Sequence, residues 1–245
     1  MQERTRVDPI RSSDELRAAY NAIYESKGIA QLTSFYKWIF SLLAPESGKR
    51  FLDISCGSGA LVAEARCRGL YAYGVDLSDK AVHDANAVLG TTCAAVGDAE
   101  SLPFAGDAFD FVTNIGSIEH YLHPERGVAE IARVLNAEGQ ACILLPNSYS
   151  LLENVWTVMR TGDVGDQGQP IERYATRVQW EKLLCDNGLS VCRTVRYNLA
   201  IPRAWSDWIW YVKRPRKLLW LLASLFVPLN LSGCFVFLCK KRQAC

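Results

Sequence analysis

Three short apolar runs in the middle of the chain each stop at an acidic residue set in a turn. The first is Phe51-Leu52-Asp53-Ile54, which runs into Ser55-Cys56-Gly57-Ser58-Gly59-Ala60. The second is Gly74-Val75-Asp76-Leu77-Ser78, and the third is Gly97-Asp98-Ala99-Glu100-Ser101-Leu102-Pro103-Phe104. Helical stretches near 58–69 and 79–89 separate them. Short β-branched or aromatic runs alternating with helices are the pattern of βα units, and a helical crossover returns each strand in the same direction. The acids of three successive strands therefore gather at one edge of a mostly parallel sheet, where open α/β sheets bind ligands. Turn chemistry explains any single Gly-Asp pair, but not its recurrence at three consecutive strand ends.

The same reading predicts strands near 50–55, 71–75, 92–97, 108–114 and 139–145, with a further helix near 125–136 and a loop as the third connection. The order is β-α-β-α-β-β-α-β. Beyond Pro146 come a helix at 149–160, a Gly- and Asp-rich loop at 161–170 and a helix at 177–187 with Gly188 at its C-cap. Strands at 189–198 and 234–239 follow. Residues 1–49 read as a helical appendage, with Ser12 or Ser13 as N-cap and Leu16, Tyr20, Ile23 and Tyr24 on one face. Residues 50–245 read as one doubly wound α/β domain with a hydrophobic helical insertion at about 200–232.

Composition excludes several classes. With 49% hydrophobic residues in 245, the chain is no disordered tail, and 27 Lys+Arg against 26 Asp+Glu leave no global field to gather nucleic acid. Nine cysteines, an odd number with no C-x-x-C pair, make neither a disulfide framework nor a zinc site. They read as small buried apolar residues. The start, Met1-Gln2-Glu3-Arg4-Thr5-Arg6, has no apolar stretch behind it, so a reducing cytosol is the simplest expected compartment.

The glycine-bearing turn after the first strand lets backbone N–H groups approach a ligand at the positive end of a helix. Alone it is a weak signal. Asp76 sharpens it, because a carboxylate ending the next strand can accept both hydroxyls of a ribose. Together these motifs make the segment from about 50 to 145 resemble a class I S-adenosylmethionine-dependent methyltransferase of the small-molecule type. The family's first motif, acid-x-Gly-x-Gly-x-Gly, reads here as Asp53-x-Ser55-x-Gly57-x-Gly59. Serine at the first glycine is expected to be tolerated if that residue needs no positive φ.

The resemblance implies that Asp53, Ser55, Gly57 and Gly59 belong to the cofactor loop and that Asp76, followed by Leu77, holds the ribose. It implies that Asp98 and Ala99 face the adenine, and that Asn114 and Ile115 lie beside the methionine moiety. Ser117-Ile118-Glu119-His120-Tyr121 is similar to the family's Leu-Glu-His segment, and Arg133-Val134-Leu135 to its approach to strand five. The family also ends in an antiparallel strand, matched by residues 234–238. The competing nicotinamide fingerprint G-x-G-x-x-G fails in both frames, at Ser55 in one and Val62 in the other.

The implied cofactor is S-adenosylmethionine, leaving as S-adenosylhomocysteine, and no metal is required. The protein's task is then to align an acceptor and exclude water, with a general base if the acceptor is a hydroxyl. Of three histidines, His83 reads as an exposed helical residue and His123, before Pro124, as turn chemistry. His120 is the candidate base. Glu119 beside it reads as a surface carboxylate. Tyr20, Tyr24, Tyr36 and Trp38 are candidate acceptor walls, although aromatics at helical spacing are more often core. Arg173, Gln167 and Gln169 are candidate polar contacts that the bland reading leaves in solvent, and Asp163 with Asp166 lacks the third ligand a cation would need.

Residues 204–229 hold Trp205, Trp208, Trp210 and Trp220 around Lys213-Arg214-Pro215-Arg216-Lys217. The apolar run Leu218–Leu229 makes about 18 Å of helix against a ~30 Å hydrocarbon core, so it does not span. Either it forms an interfacial helix pair against anionic lipid, or it packs on the sheet or in a homodimer contact. The second is the more economical for a segment hydrophobic all round. The expected activity is methyl transfer to an oxygen of a saccharide, a lipid-linked glycan or another small metabolite. The alternative is a non-catalytic cofactor-binding or scaffold protein whose insertion recruits a partner or membrane.

Overall fold

The computed structural model of the chain describes residues 2–5, 10–26, 28–163 and 168–243, the first four by their backbone. Its strands are β1 (Gln2–Thr5), β2 (Arg50–Ile54), β3 (Tyr71–Asp76), β4 (Ala94–Val96), β5 (Phe109–Ile115), β6 (Leu135–Pro146), β7 (Ile171–Tyr174), β8 (Leu189–Tyr197) and β9 (Cys234–Lys241). The helices are α1 (Ser13–Ser26), α2 (Thr33–Leu43), α3 (Ala60–Cys67), α4 (Asp79–Leu89), α5 (Pro124–Val134), α6 (Trp156–Thr161), α7 (Arg177–Asp186), α8 (Trp205–Val212) and α9 (Pro215–Ser224).

Seven strands form one sheet in the order β4-β3-β2-β5-β6-β9-β8. The pairs among β4, β3, β2, β5 and β6 are parallel, while β9 runs antiparallel to both β6 and β8. The sheet is doubly wound, as the alternation of elements predicts. Each face carries its own core, because period-2 side chains of a central strand point to opposite sides. Leu52 and Ile54 of β2 join Val112, Ile131 and Trp180 beneath α5 and α7. Phe51, the residue before Leu52 and so on the opposite face, joins Phe35, Ile39, Phe40, Leu61 and Val62 beneath α2 and α3. All of these are almost completely buried, which is why β2 reads as a nearly unbroken apolar run.

Local chemistry sets the helix ends. The Ser78 hydroxyl accepts from the Ala81 N–H and starts α4, while Gly90 in the left-handed region stops it. Thr176 and Gln179 close a reciprocal capping box on α7. Pro124 opens α5 at a position where its missing N–H costs nothing, and His123 before it is exposed turn chemistry as expected. His83 is likewise an exposed helical residue.

Several features differ from the sequence reading. Residues 2–5, read as part of the appendage, and 171–174, unassigned between the loop and the helix at 177–187, pair antiparallel as β1 and β7 in a small second sheet. Neither segment has a hydrophobic alternation of its own, and the pairing joins parts of the chain too distant for local pattern to reveal. Strand β4 is shorter than predicted, an edge strand held only by β3. The helix predicted at 149–160 begins as a π turn at Leu151–Val155 before continuing as α6. Among the described cysteines all are free, but Cys67 and Cys192 are exposed rather than buried; Cys245 lies outside the described residues.

The chain steps from β2 outward through β3 to β4, then returns to place β5 on the other side of β2. That reversal leaves a crevice between the carboxyl ends of β2 and β5, the place where such sheets hold ligands. Helix α1 lies across this end and packs on α4, with the Asn21 side chain accepting from the Ser78 hydroxyl at 2.6 Å. The insertion between β8 and β9 forms α8 and α9. No helix among the described residues is long and apolar enough to cross a membrane.

Candidate active site

A cavity of about 280 Å³ opens at this crevice. Of the cofactor residues expected from sequence, Ser55, Asp76, Leu77, Asp98, Ala99 and Ile115 line it. Asp53, Gly57, Gly59 and Asn114 do not, and each does something else. Asp53 is buried under the loop and accepts from the Thr113 hydroxyl at 2.6 Å. Burial pushes its carboxyl up to about 7, against the lowering effect of that hydrogen bond. Gly59 packs on α4: a Cβ there would lie 3.0 Å from the Ala85 Cβ, and its φ of 77° suits glycine. Asn114 is fully buried and donates from its amide to the Tyr121 hydroxyl at 2.6 Å, which fixes the ring rather than a ligand.

The loop turns on Asp76. Its Oδ2 accepts from the Gly57 N–H at 2.8 Å and its Oδ1 from the Ser78 N–H at 2.9 Å, so the carboxylate ties the glycine turn to the end of β3. Each oxygen keeps a second lone pair for a ligand hydroxyl. Burial raises its pKa, and the backbone donors of Ser78, Gly57 and Leu77 oppose that. Ser55 corrects an expectation. Its φ is 59°, so the position does require the left-handed conformation that glycine takes at no cost. The serine hydroxyl lies 3.0 Å from the Tyr121 hydroxyl, an interaction a glycine would lack.

The N-terminal helix contributes more than its spacing suggested. Tyr20 and Tyr24, which read best as core aromatics, line the cavity, and the Tyr24 hydroxyl stands 2.8 Å from where a Cβ on Gly57 would sit. The Ser13 hydroxyl donates to Asp98 Oδ2 at 2.7 Å, pinning α1 to the third acidic turn. Ser12, not Ser13, caps the helix, accepting from the Glu15 N–H. Tyr36 and Trp38 lie elsewhere: the Tyr36 hydroxyl accepts from the Gln31 N–H, and Trp38 stacks on Tyr197 at 5.3 Å.

On the far wall a 3₁₀ turn at Ile118–His120 brings Glu119 and His120 to the cavity. His120 is buried and lines the cavity, and its Nδ1 donates to the Ile171 carbonyl. That bond leaves Nε2 as the lone-pair nitrogen, the form a general base needs. Burial, with Arg173 nearby, drives its pKa down to about 4 despite the carbonyl partner. Glu119 overturns its reading as a surface carboxylate. It is 6% exposed, lines the cavity, and burial pushes it up to about 8. Its Oε2 is buried without a hydrogen-bond partner, and its Oε1 is 3.8 Å from His120 Nε2. The pair is thus a neutral acid beside a neutral imidazole at neutral pH.

Arg173 holds this turn by donating to the carbonyls of Tyr121 and Glu119. Gln169 also lines the cavity and leaves its Oε1 without a partner, so it is not the solvated loop residue expected. Asp163 is exposed, and Asp166 and Gln167 lie outside the described residues.

The fit to S-adenosylmethionine can be tested on the lining itself. Asp76, Asp98, Glu100 and Glu119 bring four carboxyl groups to the cavity, and no Lys or Arg lines it among the described residues. With Glu119 neutral, the Asp76, Asp98 and Glu100 side of this wall suits a cationic sulfonium and disfavours the pyrophosphate of a nicotinamide dinucleotide. Asp76 offers carboxylate lone pairs at the cavity edge, and Glu119 Oε2 and Gln169 Oε1 are buried without a hydrogen-bond partner.

Comparison with known proteins agrees. Residues 52–143 match the profile of the family described as a methyltransferase domain. An uncharacterised methyltransferase of Mycobacterium tuberculosis (strain ATCC 25618 / H37Rv) is 30% identical over 135 residues, which cover 55% of this chain and 54% of that protein. The 2-methyl-6-phytyl-1,4-hydroquinone methyltransferase 2 of Oryza sativa subsp. japonica is 50% identical over 50 residues, 20% of this chain and 14% of that one. The chain thus spans about half or less of the length of these curated relatives. In fold it is similar to the putative methyltransferase solved in complex with the Haloferax volcanii Trm112 methyltransferase activator. There the TM-score is 0.65 and the identity 22%, covering 96% of this chain and 99% of that one.

Proposed function

We propose that the chain transfers a methyl group from S-adenosylmethionine to a hydroxyl oxygen of a small-molecule acceptor. The observation that carries this reading is the cavity wall: four carboxyl groups, no Lys or Arg among the described residues, and a buried imidazole in the same lining whose Nε2 is left free by the Ile171 bond. Bound there, S-adenosylmethionine supplies an activated methyl on a sulfonium centre. Asp76 would hold the ribose, and Asp98 with Ala99 would border the adenine.

The remaining chemistry belongs to the chain. Tyr20, Tyr24 and Leu16 of α1 close the cavity against water, which strengthens every polar interaction inside. His120 Nε2 takes the proton of the acceptor hydroxyl. Its low basicity limits that transfer to the moment when the oxygen is already losing electron density to the methyl carbon. Glu119, neutral, donates to the acceptor or accepts from it and so orients it. Arg173 keeps both groups in place through the backbone carbonyls that it grips.

The rice relative is named for a phytyl-bearing hydroquinone, which supports a hydroxylated acceptor with an apolar part, and a lipid-linked saccharide meets the same description. Incubation with isotopically labelled S-adenosylmethionine and a cell extract, followed by mass spectrometry, tests the reading. We expect a small molecule, extracted with the lipid fraction, to gain one methyl. Binding of S-adenosylhomocysteine without incorporation into any metabolite would favour a non-catalytic role and refute it.

A further inference from the structure

The insertion between β8 and β9 presents its apolar residues the wrong way round for a helix of a water-facing surface. On α8, Trp205, Trp208, Ile209 and Val212 fall at i, i+3, i+4 and i+7, one stripe, and all four are exposed, Trp205 at 79%. The buried side of that helix is Asp207 and Tyr211. Asp207 accepts from the Ser34 N–H at 2.7 Å, and the Tyr211 hydroxyl donates to the Ala200 carbonyl at 2.8 Å. The polar groups thus dock the helix on the protein, and the apolar stripe is left in water. On α9 and the turn after it, Leu219, Leu222, Leu225 and Phe226 are exposed as well, Phe226 at 87%, while Leu221 and Ser224 face inward.

Charge distinguishes the occupant. Between Asn198 and Gly233 there are five basic residues and one acid, and that acid is the buried Asp207. Lys213, Arg214, Arg216 and Lys217 sit together at the junction of the two helices, all exposed. Arg214 lies over the Trp210 ring at 4.5 Å and Lys217 over the Trp220 ring at 6.0 Å. Exposed aliphatics, indoles and basic groups concentrated on one short segment are the composition of a helix lying in a lipid headgroup layer. A second copy of this chain would bring the same cations against one another unless the pairing offset them.

Topology places this surface beside the cavity. Tyr197 at the end of β8 and Pro146 at the end of β6 both pair with Cys234 at the start of β9. The insertion therefore leaves and rejoins the sheet at the cavity edge, and both Pro146 and Cys234 line the cavity. We propose that α8 and α9 dock the protein on an anionic lipid bilayer, with the mouth of the cavity held close to the headgroup layer. The delivery of a methyl acceptor from that layer rests on the function proposed above; the docking itself does not.

Flotation of the full chain with vesicles tests it, using phosphatidylcholine alone against phosphatidylcholine with roughly one-third phosphatidylglycerol. We expect the protein to float with the anionic vesicles and to be released by high salt. Replacing Lys213, Arg214, Arg216 and Lys217 by Gln should lower partitioning about 600-fold, since each cation near such a surface contributes roughly fivefold. Leu222→Gln with Phe226→Ser should also release it while leaving the charge unchanged. Calorimetry with S-adenosylhomocysteine on the same variants, unchanged from wild type, shows that they remain folded. Equal and negligible flotation with both vesicle types overturns the docking. So does a stable dimer that does not float and that Phe226→Ser converts to monomer. Flotation without any S-adenosylhomocysteine binding supports the docking and refutes the methyl-transfer reading.

Discussion

Ser55 offers a quantitative test of the cofactor loop. An L residue at its φ of 59° costs about 1–2 kcal/mol relative to the right-handed region. The hydroxyl contact with Tyr121 at 3.0 Å recovers about 1 kcal/mol. Ser55→Ala keeps the strain and loses the contact, so it should be less stable by about 1 kcal/mol. Ser55→Gly loses the same contact and about 0.5–1 kcal/mol more to chain entropy, but is relieved of the strain, leaving it near the wild type. The glycine variant should therefore exceed the alanine variant by about 0.5–1 kcal/mol, although glycine is normally the more destabilising replacement. Urea denaturation reads this directly as a shift in midpoint at unchanged slope. An alanine variant as stable as the glycine variant, or more so, would refute the argument that this turn is strained.

Three further outcomes follow from the site. Asp76→Asn should weaken S-adenosylhomocysteine binding by ~10–100-fold in calorimetry, the loss of a charge-assisted acceptor for ribose, and should also cost stability because the carboxylate accepts from Gly57 and Ser78. His120→Ala should slow methyl transfer ~100-fold or more with cofactor affinity nearly unchanged. In the wild type, the limb of the pH–rate profile belonging to His120 should fall near 4, below the ordinary imidazole value. Glu119 predicts a pH dependence of stability. Its carboxyl is raised from 4.5 to about 8 in the folded state, so its contribution is fully present below 4.5 and is lost as pH rises through about 8. Thermal denaturation should accordingly show Glu119→Gln gaining on the wild type as pH rises across that window, and parallel curves would refute the burial of that carboxyl.

Much of the scaffold was legible in the chain because its signals are local. The apolar run of β2, the Ser78 cap, the Gly90 stop and Pro124 at the start of α5 act within a turn or two of themselves. The three strand-end acids were legible for the same reason. The sequence neighbours of Glu119 give no sign that β7 will cover it; only the hydrogen bonds from His120 to the Ile171 carbonyl and from Arg173 to the Glu119 carbonyl reveal the cover. Tyr20 and Tyr24 were undervalued because helical spacing is the same whether a stripe faces core or cavity.

What the amino-acid order determined alone was the alternation of strands and helices, and with it the edge at which the acids gather, because hydrophobic period and turn chemistry are properties of neighbouring residues. What the tertiary structure decided was which of those residues meet the cavity and in what charge state. Asp53 and Asn114 were turned into framework, Glu119 was buried into neutrality, and the apolar stripe of α8 was left facing outward. Burial and charge state depend on segments far apart in the chain, such as β1, β7 and the insertion, coming together around one end of the sheet, and no local pattern encodes that distance.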